Sequence, residues 1–250
     1  MNQITPRSHS ATASLAAVLA DPRLAAEVAA QLETVTITTK GGKKATGALA
    51  KPARKGPAIL LIHEWWGLND QIKAVAAEFA SQGYLALACD VYDGKVTNDP
   101  GKAGAFMEAL DPAKATDILT SWADWLRKSP DGNGKLATIG WCMGGGLSIS
   151  CSVGTPVDAT IIYYGRVNHP EAELAKLKGP VLGQFAEKDG WINHAMVDPF
   201  AASMKKLGKR LELHWYDADH AFANPTGHNY DKKDAQVAWD RTLKFLKANL

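Results

Sequence analysis

Apolar positions change their period twice along the chain. Between Ala11 and Leu32, Ala, Leu and Val return every three or four residues, the spacing of a helix with one apolar face, and Asp21-Pro22 breaks the run into two short helices. The polar residues Met1 to Ser10 before it read as a loose start. Thr34 to Thr39 and Ala45 to Ala50 flank Lys40-Gly41-Gly42-Lys43, which predicts an antiparallel hairpin closed by a glycine turn. From Pro57 onward, short apolar runs alternate with helical stretches. AILLI precedes a helix over Asp70 to Ser81, YLALA precedes helices across Gly101 to Arg127, and LATI precedes a helix from Met143 to Ser152. ATIIYY, a short helix near Glu171 to Lys176, VLGQF, a helix from about Met196 to Leu207, RLELHWY and a last helix from Asp231 to Asn249 complete the series. Runs this apolar suit strands covered on both faces, so the pattern predicts an α/β fold with a mostly parallel, twisted sheet of about eight strands between helices. Residues 1–32 read as an N-terminal helical extension and 33–250 as one domain. Right-handed crossovers then bring every parallel strand's C-terminal end to one edge, where ligands bind in open α/β sheets.

The chemistry-bearing residues fall at that edge. LATI runs into Gly140-Trp141-Cys142-Met143-Gly144, a strand turning sharply into a helix with a thiol at the apex. Small residues on either side permit such a strained turn, which makes Cys142 a candidate nucleophile; the same pattern also describes a buried cysteine in a tight turn. A nucleophile needs a base, an acid to orient the base, and donors for an oxyanion. His220 follows RLELHWY, and Asp189 follows VLGQF. Of the other histidines, His9 lies in the loose start, His63 opens a different loop, His214 is inside a strand, and His169, His194 and His228 do not directly follow a late strand. Asp217 and Asp219 are nearer His220 in sequence, but Asp189 has the strand-end position from which a carboxylate reaches the far imidazole nitrogen. After AILLI comes His63-Glu64-Trp65-Trp66-Gly67, whose loop offers the Trp65 N–H as one oxyanion donor, with the Met143 N–H as the other. His63-Glu64 is not a zinc motif, because H-E-x-x-H needs histidine where Gly67 stands. Glu64 itself fits either a salt bridge or a place in the site. Trp65, Trp66, Trp141 and Trp191 lie beside these residues and suggest an aromatic-lined pocket, although each also suits a core.

Composition narrows the partner. Lys and Arg number 28 against 26 Asp and Glu, a formal charge of +2 without a basic block, which argues against nucleic acid or an anionic membrane and for a small molecule. Three widely spaced cysteines, Cys89, Cys142 and Cys151, form no CxxC pair and indicate neither disulfides nor zinc. No apolar run is long enough to span a bilayer and the N-terminus lacks a signal-peptide pattern, so a soluble cytoplasmic protein, monomer or homodimer, is expected.

The segments HEWWGLND, ACDVYDG, GKLATIGWCMGGG, IIYYG, EKDGW and LHWYDADHAFAN together resemble the dienelactone hydrolases, the carboxymethylenebutenolidase group of α/β-hydrolases, from about Pro57 to the C-terminus. The resemblance implies an α/β-hydrolase fold, a Cys142, Asp189, His220 triad, a Glu64 that contacts the resting thiol and joins in its activation, hydrolysis of a lactone or ester through an acyl-enzyme, and no cofactor. Tyr92, Trp66, Trp141, Trp191 and Asn224 are the candidate substrate contacts. Two positions depart from the family pattern: where its type enzymes carry arginines for the substrate carboxylate, this chain has Asp93-Gly94 after Tyr92 and Asn224 four residues after His220. A bidentate anion clamp cannot be built from those residues, so a neutral or less acidic ester or lactone is expected. Two further readings stay open on sequence alone: a non-catalytic receptor of this fold holding an apolar ligand, and a redox-sensing thiol at a helix N-terminus.

Overall fold

A computed structural model describes residues 14–250; the stretch read as loose, Met1 to Ser10, lies outside the described residues. Its framework is one eight-stranded sheet in the order β1-β2-β4-β3-β5-β6-β7-β8. β1 (Glu33–Thr38), β2 (Lys44–Ala50) and β4 (Leu85–Cys89) are antiparallel neighbours in turn. β3 (Gly56–Ile62) lies parallel to β4 and to β5 (Gly132–Trp141), and β6 (Ala159–Tyr163), β7 (Val181–Ala186) and β8 (Leu211–Tyr216) extend the sheet in parallel. The predicted α/β-hydrolase architecture is therefore present.

Burial follows from the two-residue period of a strand. Along β3, Ile59 and Leu61 face one core together with Ala86, Ala88, Ala137 and Ile139, whereas Leu60 and Ile62 face the other with Leu85, Leu87 and Leu136. α3 (Asp70–Ser81) and α9 (Lys232–Asn249) cover the first core, and α5 (Pro112–Lys128) the second. α4 (Pro100–Glu108) precedes α5, and α6 (Met143–Gly154) follows β5 directly. A third cluster seats α8 (His194–Lys206) beneath β6 and β7 through Val197, Phe200 and Met204.

The two N-terminal helices form as expected. α1 (Leu15–Ala20) and α2 (Pro22–Ala29) meet at Asp21, whose carboxyl accepts the Arg23 N–H and so starts the second helix. Leu19 and Ala25 join the core under α3 beside Ile72 and Val75, so the extension lies against the sheet's covering layer. Burying Leu19 contributes about 2 kcal/mol to that attachment. Several boundaries differ from the sequence pattern, those of two late helices among them. α7 (Glu171–Leu174) is a single turn, and α8 begins two residues early at His194 because the Asn193 side chain accepts the Ala195 N–H.

Candidate active site

Cys142 stands where β5 turns into α6, with φ 55° and ψ −119°, a conformation non-glycine residues seldom adopt. Its neighbours show why the turn needs glycine. A Cβ on Gly140 would lie 2.0 Å from the Gly144 carbonyl oxygen, and one on Gly144 would lie 2.3 Å from that of Ile62 and 2.5 Å from that of His63. With those side chains absent, α6 starts hard against the ends of β5 and β3 and lifts the thiol above the sheet edge. The Cys142 N–H donates to the Tyr163 carbonyl at 3.0 Å, pinning the turn to β6.

The loops after β7 and β8 bring the other two members to the thiol. His220 Nε2 is 3.2 Å from Cys142 Sγ, and its Nδ1 is 2.6 Å from Asp189 Oδ2. The second Asp189 oxygen accepts the Trp191 N–H at 2.8 Å and the Ile192 N–H at 3.0 Å, so the carboxylate is fully held. Asn229 Nδ2 donates to the His220 carbonyl at 2.9 Å and steadies the histidine loop. Burial works against the charged Asp189, but the His220 hydrogen bond and the two N–H donors outweigh it and keep its carboxyl below the usual range. Burial likewise disfavours protonated His220, yet the hydrogen bonds to Asp189 and Cys142 and the Asp189 charge push it up to about 10.

Glu64 is 5% exposed, and its Oε2 accepts the Asn224 amide at 2.7 Å. Gln71 Nε2 and the Thr226 N–H both donate to the Asn224 Oδ1, which fixes that amide's orientation. Burial pushes the Glu64 carboxyl up to about 7, although the His220 charge, the Asn224 amide and the Tyr164 hydroxyl pull it down. The Tyr164 hydroxyl lies beside this carboxyl but outside hydrogen-bond geometry, so it and Glu64 Oε1 are both buried without a partner. The resemblance implied a Glu64 contact with the resting thiol. The thiol turns instead to His220, and no hydrogen bond joins Glu64 to Cys142 among the described residues. Each group has another partner: the imidazole for the sulfur, and a pre-oriented amide for the carboxyl.

The remaining expected residues divide between mouth and core. The Trp65 and Met143 N–H groups, at the loop after β3 and the first turn of α6, have no protein acceptor among the described residues. Tyr92 is buried with its hydroxyl donating to Met143 Sδ at 3.0 Å. Trp65 and Trp66 meet edge to face at 5.0 Å. Trp191 is 73% exposed and sets its indole perpendicular to the His220 ring at 5.3 Å. Trp141 parts from this group: it is buried against Tyr163 in the core. Two polar residues went unnoticed in the sequence. Tyr164, at φ 38° after β6, and Gln71, in the first turn of α3, complete the surroundings of Glu64 and Asn224. The tyrosine's position just past an apolar strand was a signal for it; nothing local marked the glutamine. No cluster of three or more metal-binding side chains occurs among the described residues, and no described helix is long and apolar enough to cross a membrane.

Comparison with known proteins agrees with this architecture. The chain is 34% identical over 244 residues to a protein of Saccharolobus solfataricus that carries a provisional carboxymethylenebutenolidase name, covering 82% of this chain and 95% of that protein. It is 28% identical over 226 residues to a carboxymethylenebutenolidase of a Pseudomonas species, covering 86% and 94%. A crystal structure from Klebsiella pneumoniae, provisionally named a dienelactone hydrolase, superposes with a TM-score of 0.79 at 23% identity over 86% of this chain and 98% of its own, which shows the shared fold. A sequence model of the dienelactone hydrolase family matches residues 45–250, from β2 through the elbow to the last helix, and on that match the chain belongs to the dienelactone hydrolase family.

Proposed function

We propose that the protein hydrolyses an uncharged lactone or small carboxylic ester through a Cys142 acyl-enzyme. The observation that carries this reading is the unbroken hydrogen-bonded chain from Cys142 Sγ through His220 to Asp189. His220 Nε2 takes the proton of Cys142 Sγ and leaves the thiolate, the reactive form. The thiolate attacks the substrate carbonyl carbon; a C–S bond forms and the carbonyl π pair moves onto oxygen, where the Trp65 and Met143 N–H groups receive it. Collapse of this intermediate breaks the C–O bond, and the departing alkoxide takes the proton from His220 Nε2. Neutral His220 then removes a proton from water as it attacks the thioester, and the second collapse releases the carboxylic acid and restores the thiolate–imidazolium pair. Asp189 keeps the imidazole in the orientation and tautomer that both transfers require.

The mouth supports an uncharged substrate. Asn224 is engaged with Glu64, and Asp93, where a family arginine would follow Tyr92, is paired with Lys114. No guanidinium therefore stands at either position to grip a carboxylate. Exposed Trp191 offers a flat apolar wall beside the histidine. The test is turnover of small aryl esters and lactones by wild type and Cys142→Ala, with mass spectrometry of the quenched enzyme. Expected are loss of turnover by about 10⁴-fold or more and a single acyl adduct on Cys142 in wild type alone. Equal rates for the two proteins would overturn the reading.

A further inference from the structure

His63 is wholly buried and takes no part in the hydrolysis proposed for Cys142, although it opens the loop that carries Glu64 and Trp65. Its two ring nitrogens have partners of fixed sense. Nδ1 lies 2.6 Å from the Glu64 carbonyl oxygen, which can only accept, and Nε2 lies 3.3 Å from the Val91 backbone nitrogen, whose N–H can only donate. The ring is therefore neutral, with its one proton on Nδ1. Burial agrees, because it holds His63 below the ordinary imidazole range against the pull of the Glu64 carbonyl and of Asp90. Asp90 Oδ1 stands 3.9 Å from Nε2, beyond hydrogen-bond reach, and the two Asp90 oxygens accept the Tyr92 and Gly94 N–H groups.

The Nδ1 bond acts on the peptide that joins Glu64 to Trp65. No peptide bond among the described residues is cis, and in a trans peptide the carbonyl and the N–H point in opposite directions. The Glu64 oxygen is held by the His63 Nδ1–H and by the Gly67 N–H at 3.3 Å, so the peptide plane is fixed and the Trp65 N–H is turned away from both donors. Gly144 packs against the His63 carbonyl, so the loop starts beside the elbow. The Nε2 bond reaches towards the second donor. It ties down Val91, next to Tyr92, whose ring lies 5.0 Å from that of His63 and whose hydroxyl donates to Met143 Sδ.

We propose that His63 is a positioning residue for the oxyanion site: its Nδ1–H, by holding the Glu64 carbonyl, aims the Trp65 N–H at the place where negative charge develops on the substrate oxygen. This role rests on the proposed function, whereas the tautomer and the orientation of the peptide do not. A histidine that only satisfied two buried loops would matter to stability alone. One that aims the peptide makes its Nδ1 bond matter to rate.

Two variants separate the bonds, since an Asn amide reaches about as far as Nδ1 and a Gln amide about as far as Nε2. His63→Asn keeps a donor for the Glu64 carbonyl, and His63→Gln keeps only an acceptor for the Val91 N–H. The full-length proteins are compared by kcat and KM for an aryl ester, by the rate of Cys142 alkylation with iodoacetamide, by thermal melts and by amide NMR. His63→Gln is expected to lower kcat by about 10²-fold with KM within about twofold, the cost of losing one oxyanion donor, and His63→Asn to recover at least about tenfold of it. Alkylation needs the thiolate and no oxyanion, so it is expected to stay within about threefold of wild type in both. The Trp65 amide resonance is expected to move in His63→Gln and to stay near its wild-type position in His63→Asn, and the wild-type ring to carry its proton on Nδ1. A proton on Nε2, equal kcat in the two variants, or an unmoved Trp65 resonance in His63→Gln would each overturn the proposal. A wild type without ester turnover overturns the hydrolysis itself, and is told apart because the tautomer and the Trp65 resonance still follow His63.

Discussion

Gly144→Ala sets two opposed effects against each other inside α6. In an ordinary helix interior alanine is favoured over glycine by about 1 kcal/mol, so propensity alone predicts a more stable protein. Here the added methyl would lie 2.3 Å from the Ile62 oxygen, 2.5 Å from the His63 oxygen and 2.8 Å from the Ile62 carbonyl carbon. Comfortable C···O separations are about 3.3 Å or more, so the elbow and the end of β3 must part by about 1 Å. All three clashing atoms are backbone at the end of a strand paired on both sides, so no rotamer change relieves them. Overpacking of this kind costs about 1–3 kcal/mol and offsets the helix gain, for a net loss of up to about 2 kcal/mol and a Tm lower by up to roughly 8 °C at this chain length. The catalytic cost is larger. The gap opens between the turn that carries Cys142 and the loop that carries Glu64 and Trp65, and a misplacement of about 1 Å costs on the order of 10²-fold in rate. The assay is kcat/KM for an aryl ester beside a thermal melt. Gly146→Ala is the control: its nearest contacts are 3.3 Å and 3.5 Å, to Arg166, and it is expected to stay near wild type in both readouts. A Gly144→Ala enzyme within twofold of wild-type kcat/KM would refute the close-approach argument.

Two further outcomes follow from the charges around the thiol. Asp189→Asn keeps an oxygen for the Trp191 and Ile192 N–H groups but turns an NH₂ towards His220 Nδ1, which favours the wrong imidazole tautomer; kcat is expected to fall by about 10³–10⁴-fold with little change in Tm, and a loss below tenfold would count against an orienting role. Burial raises the folded pKa of Glu64 from the ordinary carboxyl range to about 7, so the stabilising neutral form is fully present below about pH 4.5 and its contribution is lost as pH rises towards 7. Glu64→Gln removes that loss and is expected to stabilise the protein at pH 8 by about 3 kcal/mol while leaving stability at pH 4.5 nearly unchanged. Its kcat/KM profile is also expected to lack the inflection near pH 7 that wild type shows; chemical denaturation and rate profiles at both pH values check the pair of claims, and an unchanged profile would assign that titration to another group.

The parts of this molecule that the sequence reveals are those set within a few residues of themselves. β3 and β4 are legible because strands buried on both faces run continuously apolar, as AILLI and YLALA do, whereas β7 carries the buried Gln184 and edge strand β8 is read from its alternation. The proposed triad is legible for a related reason: Cys142, Asp189 and His220 each follow shortly after a strand end, and parallel strands deliver such positions to one edge. What the sequence leaves hidden depends on contacts between distant segments. The placement of β4 between β2 and β3 is a choice of crossover, which no run of residues encodes. The partner of Glu64 is Asn224, 160 positions away, and whether the thiol meets Glu64 or His220 is decided by their competing partners, not by any spacing.

The N-terminal extension shows the same limit from the other side. Its helices are readable from their period, and their apolar face requires a surface to cover, but that the surface is α3 is fixed by the tertiary fold and not by any local run. Trp141 follows this logic as well. Adjacent to Cys142 in sequence, it reads as part of the catalytic pocket, yet the two-residue strand period that buries Ile139 turns Trp141 into the same core, beside Tyr163, and leaves the next residue, Cys142, at the strand end.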